Sequence, residues 1–180
     1  SGLQKVLVGG EAISENLATK ILANKVQLWN MYGPTETTIW STCGRIEQLP
    51  VALGEPIAET EVFIFDEQMH SVGDGEEGEI YIGGSGLAVG YLNQPEQTGE
   101  YFVKNPYDPD SNLYRTGDMA HLNPDGSLTF LGRKDNQIKV NGGYRVELGE
   151  VEQIFSQIRQ VKDLVPLAVI WLRIQVAQRL

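Results

Sequence analysis

The first apolar run, Val6-Leu7-Val8, reads as a buried strand that ends at Gly9-Gly10-Glu11. Ser14 is placed to cap a helix reaching about Ala23, with Ile13, Leu17, Ile21 and Leu22 on one face. A second run, residues 26–29, reads as another buried strand. Strand, helix, strand in this order predicts a parallel pair whose following loops leave at one edge. Residues 9–11 and 30–36 should therefore be neighbours in space. Residues 37–42 are β-rich and are expected to return along that edge, bringing Ile39 and Trp40 near it.

From Pro56 the pattern changes to alternating strands. Residues 62–65 and 79–82 flank a Gly-rich acidic turn at 73–78, the signature of an antiparallel subdomain. Gly83, Gly84, Gly86 and Gly90 lack the spacing of a phosphate loop and read as tight backbone approaches. Pro95 opens a helix through Phe102, weakened by Gly99. Residues 114–118 form an extended segment ending on Asp118, and residues 119–122 and 127–131 form a hairpin around Asn123-Pro124-Asp125-Gly126. A polar run at 132–136 between two apolar strands marks a boundary or hinge. Beyond it, residues 138–140 and 144–146 predict a hairpin, and residues 147–159 an amphipathic helix. The fold class is mixed α/β: a parallel β-α-β unit plus an antiparallel β subdomain, followed by the start of a small α+β domain.

Composition is that of an ordinary globular chain, with 180 residues, 41% hydrophobic and 21% charged. The formal net charge is −10, from 24 acidic against 14 basic residues, which disfavours a nucleic-acid or anionic membrane partner. A single cysteine, Cys43, excludes an internal disulfide and reads as a small buried residue. His70 and His121 read as surface residues. The apolar stretch 164–172 is too short to span a bilayer and contains Pro166, so a cytoplasmic location is expected. A chain that opens with Ser1 so close to a core strand is expected to be a piece of a longer one.

The chemistry concentrates in Asn30-Met31-Tyr32-Gly33-Pro34-Thr35-Glu36-Thr37-Thr38. Asn30 and Tyr32 would leave the C-terminal end of a strand, where open α/β sheets bind ligands. Gly33-Pro34 sets a sharp turn. Thr35 then offers a neutral donor for a phosphate oxygen, and Glu36 a hard oxygen for Mg²⁺. Two readings stand on the residues alone: a nucleotide loop, or a polar loop whose Asn and Thr cap turns. Asp118 has a similar pair of readings, as an acceptor for a sugar diol or as a turn aspartate.

Taken in order, Gly9-Gly10-Glu11, residues 30–38, Gly78-Glu79-Ile80 through Gly90-Tyr91-Leu92, residues 114–118, Gly132-Arg133 through Asp135, and residues 147–152 resemble the adenylate-forming enzymes. The likeness is to the amino-acid-activating adenylation domains of nonribosomal peptide synthetases and runs from about residue 3 to residue 163. The resemblance implies formation of an aminoacyl-adenylate and pyrophosphate from ATP, with Mg²⁺, followed by transfer to the phosphopantetheine thiol of a peptidyl carrier domain. Other synthetase domains would be the remaining partners.

By the same resemblance Tyr32 would stack on adenine, Asn30 would bond its amino edge, and Asp118 would hold the ribose hydroxyls. Phe130 would flank the nucleotide, Gly10 and Glu11 would border it, and Arg133 would reach the ribose or phosphate. Thr35 would touch the α-phosphate and Glu36 would ligate Mg²⁺, so Thr35, Glu36 and Arg133 carry the catalytic expectation. Leu7, Gly9, Met31, Ile39 and Trp40 would line the amino acid side-chain pocket. The bulk of Met31 and Trp40 favours a small substrate, glycine first, then alanine, cysteine, serine and threonine. The expected organisation is residues 1–133 as the C-terminal part of the large core, 134–136 as the hinge around Asp135, and 137–180 as a truncated start of the small domain.

The sequence departs from the family's pattern in several places. A Ser/Thr/Gly-rich phosphate loop, an aspartate for the substrate ammonium and a late lysine have no counterpart in it. Gly142-Gly143 stands where the family has one glycine, and the tail beyond about Val165 follows no family pattern. An acyl-CoA ligase-like enzyme of the same superfamily and a non-catalytic nucleotide-binding remnant are the alternatives.

Overall fold

Two strands with one helix between them open the chain. In the computed structural model, β1 (Lys5–Gly9) pairs in parallel with β2 (Gln27–Tyr32), Gly9 lying opposite Met31. Helix α1 (Glu15–Ala23) is capped as expected, the Ser14 hydroxyl oxygen accepting the Leu17 N–H at 3.3 Å. Its buried contact is Ala18, which joins Leu28 and Ile46 in a cluster with Val6, Val8, Ile13, Ile21 and Leu22 around it. Leu17 is 49% exposed and does not belong to that face. The strand expected to be buried is buried on one side only. Val6 and Val8 meet the helix, while Leu7 points to the other face and is 63% exposed.

β2 runs two residues beyond Asn30, so Asn30 and Tyr32 are strand residues and do not begin a loop. The reversal that follows is tight. Thr35–Thr37 form a single 3₁₀ turn, Thr38 and Ile39 take positive φ (62° and 74°), and β3 (Thr42–Ile46) then pairs antiparallel with β2, Tyr32 opposite Thr42. The expected extended return over residues 37–41 is therefore a turn, because the hydrogen bonds of Thr37, Thr38 and Ile39 N–H close on Pro34 and Thr35 carbonyls. A short β4 (Glu55–Pro56) completes this four-stranded sheet.

The second sheet has five antiparallel strands. β5 (Thr60–Phe65), β6 (Glu77–Gly84), β7 (Phe102–Asn105) and β8 (Asp108–Leu122) lie in the order β5-β6-β8-β7, and β9 (Leu128–Arg133) adds to β8. Helix α2 (Pro95–Tyr101) leads into β7 with proline in its first turn. The core gathers Leu53, Ile64, Ile80, Ile82, Ala120 and Leu128, with Tyr32 of the first sheet and Phe130 packed against it. Leu53 N–H donates to the Leu128 carbonyl at 2.8 Å, and this joins the segment after β3 to β9.

The structure describes residues 2–135, 137–140, 144–148 and 151. The chain divides into two units, Ser1–Lys134 and Asp135–Leu180. In the second, β10 (Gln137–Val140) and β11 (Tyr144–Glu147) form an antiparallel hairpin. Gly142-Gly143, most of the helix expected over 147–159 and the tail lie outside the described residues. Among those described, no helix is long and apolar enough to cross a membrane. Cys43 is a free thiol, partly buried where full burial was expected. His70 is exposed beside Asp66, whereas His121 sits in β8 opposite Glu77 and Thr129 and is partly buried.

Candidate nucleotide site

Asp118 does not end its strand. It lies within β8, where the chain bulges: Glu79 to Tyr81 on β6, a step of two residues, faces Arg115 to Met119 on β8, a step of four. The extra residues leave the ladder and turn Asp118 toward the first sheet. Gly117 takes φ 74° at the apex, and the surrounding polar groups satisfy the interrupted backbone. The Thr116 hydroxyl donates to the Ile80 carbonyl at 2.7 Å and accepts the Asp118 N–H at 3.0 Å. The Gly117 N–H and Arg115 Nε donate to Glu79 Oε1 at 3.2 and 2.8 Å.

This bulge brings three expected residues together. Tyr32 Oη donates to Asp118 Oδ2 at 2.6 Å, and Arg133 Nη1 donates to Asp118 Oδ1 at 2.9 Å. Asp118 is 8% exposed, so a guanidinium and a phenol accompany a carboxylate largely withdrawn from water. Burial, and then the adjacent Asp118 carboxylate, hold the Tyr32 hydroxyl protonated well above the ordinary tyrosine value. Asn30 is buried on the same strand as Tyr32, and its Nδ2 donates to the Ala52 carbonyl at 2.9 Å, which orients the amide. Phe130 stands on β9 opposite Ala120 and shares the core cluster with Tyr32.

A second group surrounds the 3₁₀ turn. Glu36 is 8% exposed and its Oε1 accepts from Tyr91 Oη at 2.6 Å, while Thr35 beside it is exposed. Burial, and then the bond to Glu36, hold the Tyr91 hydroxyl protonated far above its ordinary value. The Ala88 N–H donates to the Glu36 carbonyl at 2.9 Å, and Thr38 Oγ1 donates to the Gly86 carbonyl at 2.7 Å. Gly84 and Gly86 are close backbone approaches as expected, a Cβ on Gly86 meeting the Thr37 carbonyl at 3.2 Å and one on Gly84 colliding with that of Glu59, whereas Gly83 and Gly90 lie against the Leu113 and Thr98 side chains. Tyr91 had no assigned role in the sequence. Its partner lies 55 residues away, and no local spacing marks such a pair.

Gly9, Met31 and Trp40 form a third group. A Cβ built on Gly9 would lie 2.6 Å from Trp40 Cη2, Trp40 Cζ3 and the Met31 carbonyl, so the indole is seated on the glycine backbone. Leu7 shares the Gly9 face of β1 but is 63% exposed, and Ile39 is 57% exposed. Gly10, with φ +86°, has open space about it, and Glu11 is exposed. Asp135 belongs to the second unit, where its Oδ1 accepts the Gln137 N–H at 3.1 Å in the turn that opens β10.

No cluster of three or more His, Cys, Asp or Glu able to hold a metal occurs among the described residues. The donors present fit Mg²⁺ in another way. That ion is commonly held by one or two carboxylates together with substrate phosphates, and Glu36 with the neighbouring Thr35 hydroxyl supplies hard oxygens of this kind.

The sequence profile of the AMP-binding enzymes matches residues 1–92. Tyrocidine synthase 3 of Brevibacillus parabrevis is 45% identical over 168 residues, 91% of this chain and 3% of that protein. The dimodular nonribosomal peptide synthase of Bacillus subtilis (strain 168) is 44% identical over 157 residues, 84% of this chain and 6% of its own length. The chain therefore spans only a few hundredths of these curated relatives. Among solved structures, PA1221, an NRPS protein containing adenylation and PCP domains, superposes with a TM-score of 0.82 at 36% identity, over 92% of this chain and 35% of that one. The four-domain nonribosomal peptide synthetase holo-AB3403, bound to AMP and glycine, gives a TM-score of 0.68 at 49% identity over 85% of this chain and 12% of its own. With this site geometry and these likenesses together, the chain belongs to the AMP-binding enzymes, as part of an adenylation domain of the nonribosomal peptide synthetase type within the adenylate-forming ligases.

Proposed function

We propose that this chain carries the nucleotide-binding half of an amino-acid-activating site and that the amino acid is small, with glycine favoured. The observation that carries the reading is the Tyr32–Asp118–Arg133 group, a buried carboxylate held ready between a phenol and a guanidinium. Asp118 would exchange these contacts for the ribose hydroxyls, Tyr32 would offer its ring to adenine, and the Asn30 amide would meet the adenine amino edge. Phe130, Gly10 and Glu11 would border the nucleotide.

In the reaction the substrate carboxylate forms a bond to the α-phosphorus of ATP while the bond from that phosphorus to the bridging oxygen breaks, releasing pyrophosphate. Mg²⁺ on Glu36 would neutralise phosphate charge. Thr35 would donate to an α-phosphate oxygen, and Arg133 would place its positive charge at the ribose or phosphate. Such a displacement is helped more by placed donors and cations than by a general base. The aminoacyl group would then pass to the phosphopantetheine thiol of a peptidyl carrier domain, with Asp135 as the hinge for the change between half-reactions. The 1–133, 134–136 and 137–180 organisation and a cytoplasmic location belong to the same proposal, since ATP is the cosubstrate.

Glycine is favoured because the Trp40 indole occupies the space beside Gly9, where a larger side chain would need room. The glycine in the similar four-domain synthetase structure agrees in size. The test is ATP–pyrophosphate exchange by the intact polypeptide that carries this chain. Exchange stimulated most by glycine, less by alanine, cysteine, serine or threonine, and not by fatty acids is expected. Exchange with fatty acids and with no amino acid would overturn the proposal in favour of an acyl-CoA ligase.

A further inference from the structure

We infer that Tyr91 is a positioning residue for the metal-facing carboxylate: its hydroxyl, donating to Glu36 Oε1 at 2.6 Å, holds Glu36 in the orientation from which it ligates a divalent cation. The inference rests on the proposed role of Glu36. It goes beyond that role because it assigns work to a residue outside the expected nucleotide and metal sets.

The geometry supports a clamp. Glu36 is fastened through its main chain as well as its side chain, since its carbonyl accepts the Ala88 N–H at 2.9 Å and Thr38 Oγ1 reaches the Gly86 carbonyl at 2.7 Å. The 84–91 loop thus grips the 3₁₀ turn on both sides of the carboxylate. Tyr91 is itself fixed. Its N–H donates to Thr98 Oγ1 at 2.9 Å, and its ring meets Tyr101 and Phe102 edge-on, at centroid distances of 6.3 and 5.5 Å. One carboxylate oxygen is thereby committed to a phenol on a rigid support, which limits rotation of the group that must present its other oxygen.

A carboxylate that has lost one restraint must be ordered further when the cation binds, so removal of the phenol should weaken the metal more than the amino acid. The experiment titrates Mn²⁺ into the intact polypeptide holding ATP and reads free Mn²⁺ by electron paramagnetic resonance. Tyr91→Phe, which keeps the ring contacts, is expected to raise the Mn²⁺ dissociation constant by roughly three- to ten-fold, with the thermal midpoint and the glycine KM close to wild type. Thr98→Val, which removes the acceptor of the Tyr91 N–H, should give a smaller shift in the same direction.

Glu36→Gln separates the two ideas. If Glu36→Gln weakens Mn²⁺ and Tyr91→Phe does not, Tyr91 has no positioning role although Glu36 remains the ligand. If Glu36→Gln leaves Mn²⁺ binding unchanged, both the role of Glu36 and that of Tyr91 fall. A Tyr91→Phe protein whose metal affinity, glycine KM and thermal midpoint all deteriorate together would show general loosening and would also overturn the inference.

Discussion

Single residues act here through partners distant in sequence. Asp118 acquires its meaning from Tyr32, 86 residues away, and from Arg133 across the β8–β9 hairpin. Each residue was recognisable as part of a motif, but nothing in local spacing says that a phenol and a guanidinium share one carboxylate. The same limit hid Tyr91 and Thr116, whose roles arise from a loop crossing and a bulge. Leu7, Gly9, Met31, Ile39 and Trp40 were grouped through the family resemblance, and of these the structure sets Gly9 opposite Met31 and beside the Trp40 indole. Their packing makes a prediction at this scale. Trp40→Ala removes the indole seated on Gly9, and the preference in amino-acid-dependent exchange should move from glycine toward larger side chains, by roughly ten-fold or more in the ratio of kcat/KM values. An unchanged preference profile would place Trp40 outside the pocket.

Elements were easier to find than to bound. Ser14 and the spacing of Ile13, Leu17, Ile21 and Leu22 identified α1, Leu17 alone falling outside the packed face, and its cap forms as expected, so Ser14→Ala should destabilise the protein by about 1 kcal/mol in denaturant unfolding. No measurable loss would mean that other groups satisfy the helix end. Strand lengths were underestimated wherever polar residues face inward. β2 continues through Asn30 and Tyr32 because Asn30 bonds Ala52 and Tyr32 bonds Asp118, which removes the cost of burying them. β8 runs unbroken through Asp118 into Leu122 for a similar reason, with Thr116 and Asp118 accommodated in the bulge, and its exposed start at Asp108–Asn112 is held by pairing with β7. Hydrophobic alternation records apolar burial and is blind to polar residues buried with partners. Residues 37–41 erred in the opposite direction: β-branched content suggested extension, but the carbonyls of Pro34 and Thr35 capture the following N–H groups and close a turn.

For the molecule as a whole, the parallel β1–β2 pair and the antiparallel second sheet were both readable, the latter from the change in pattern near Pro56, whereas the antiparallel addition of β3 and β4 to the first sheet was not. Less readable was how the sheets cooperate. Tyr32 leaves the first sheet, packs on the core of the second, and delivers its hydroxyl to the bulge in β8, so the candidate site exists only where the two sheets meet. The central claim, that this meeting point is a nucleotide site, is tested most directly by calorimetric titration of ATP with Mg²⁺ into the wild-type polypeptide and its Asp118→Ala variant. Saturable binding by the wild type, weakened roughly ten-fold or more in Asp118→Ala at a temperature where both proteins are folded, is the predicted result. Identical heats and affinities for the two proteins would contradict it.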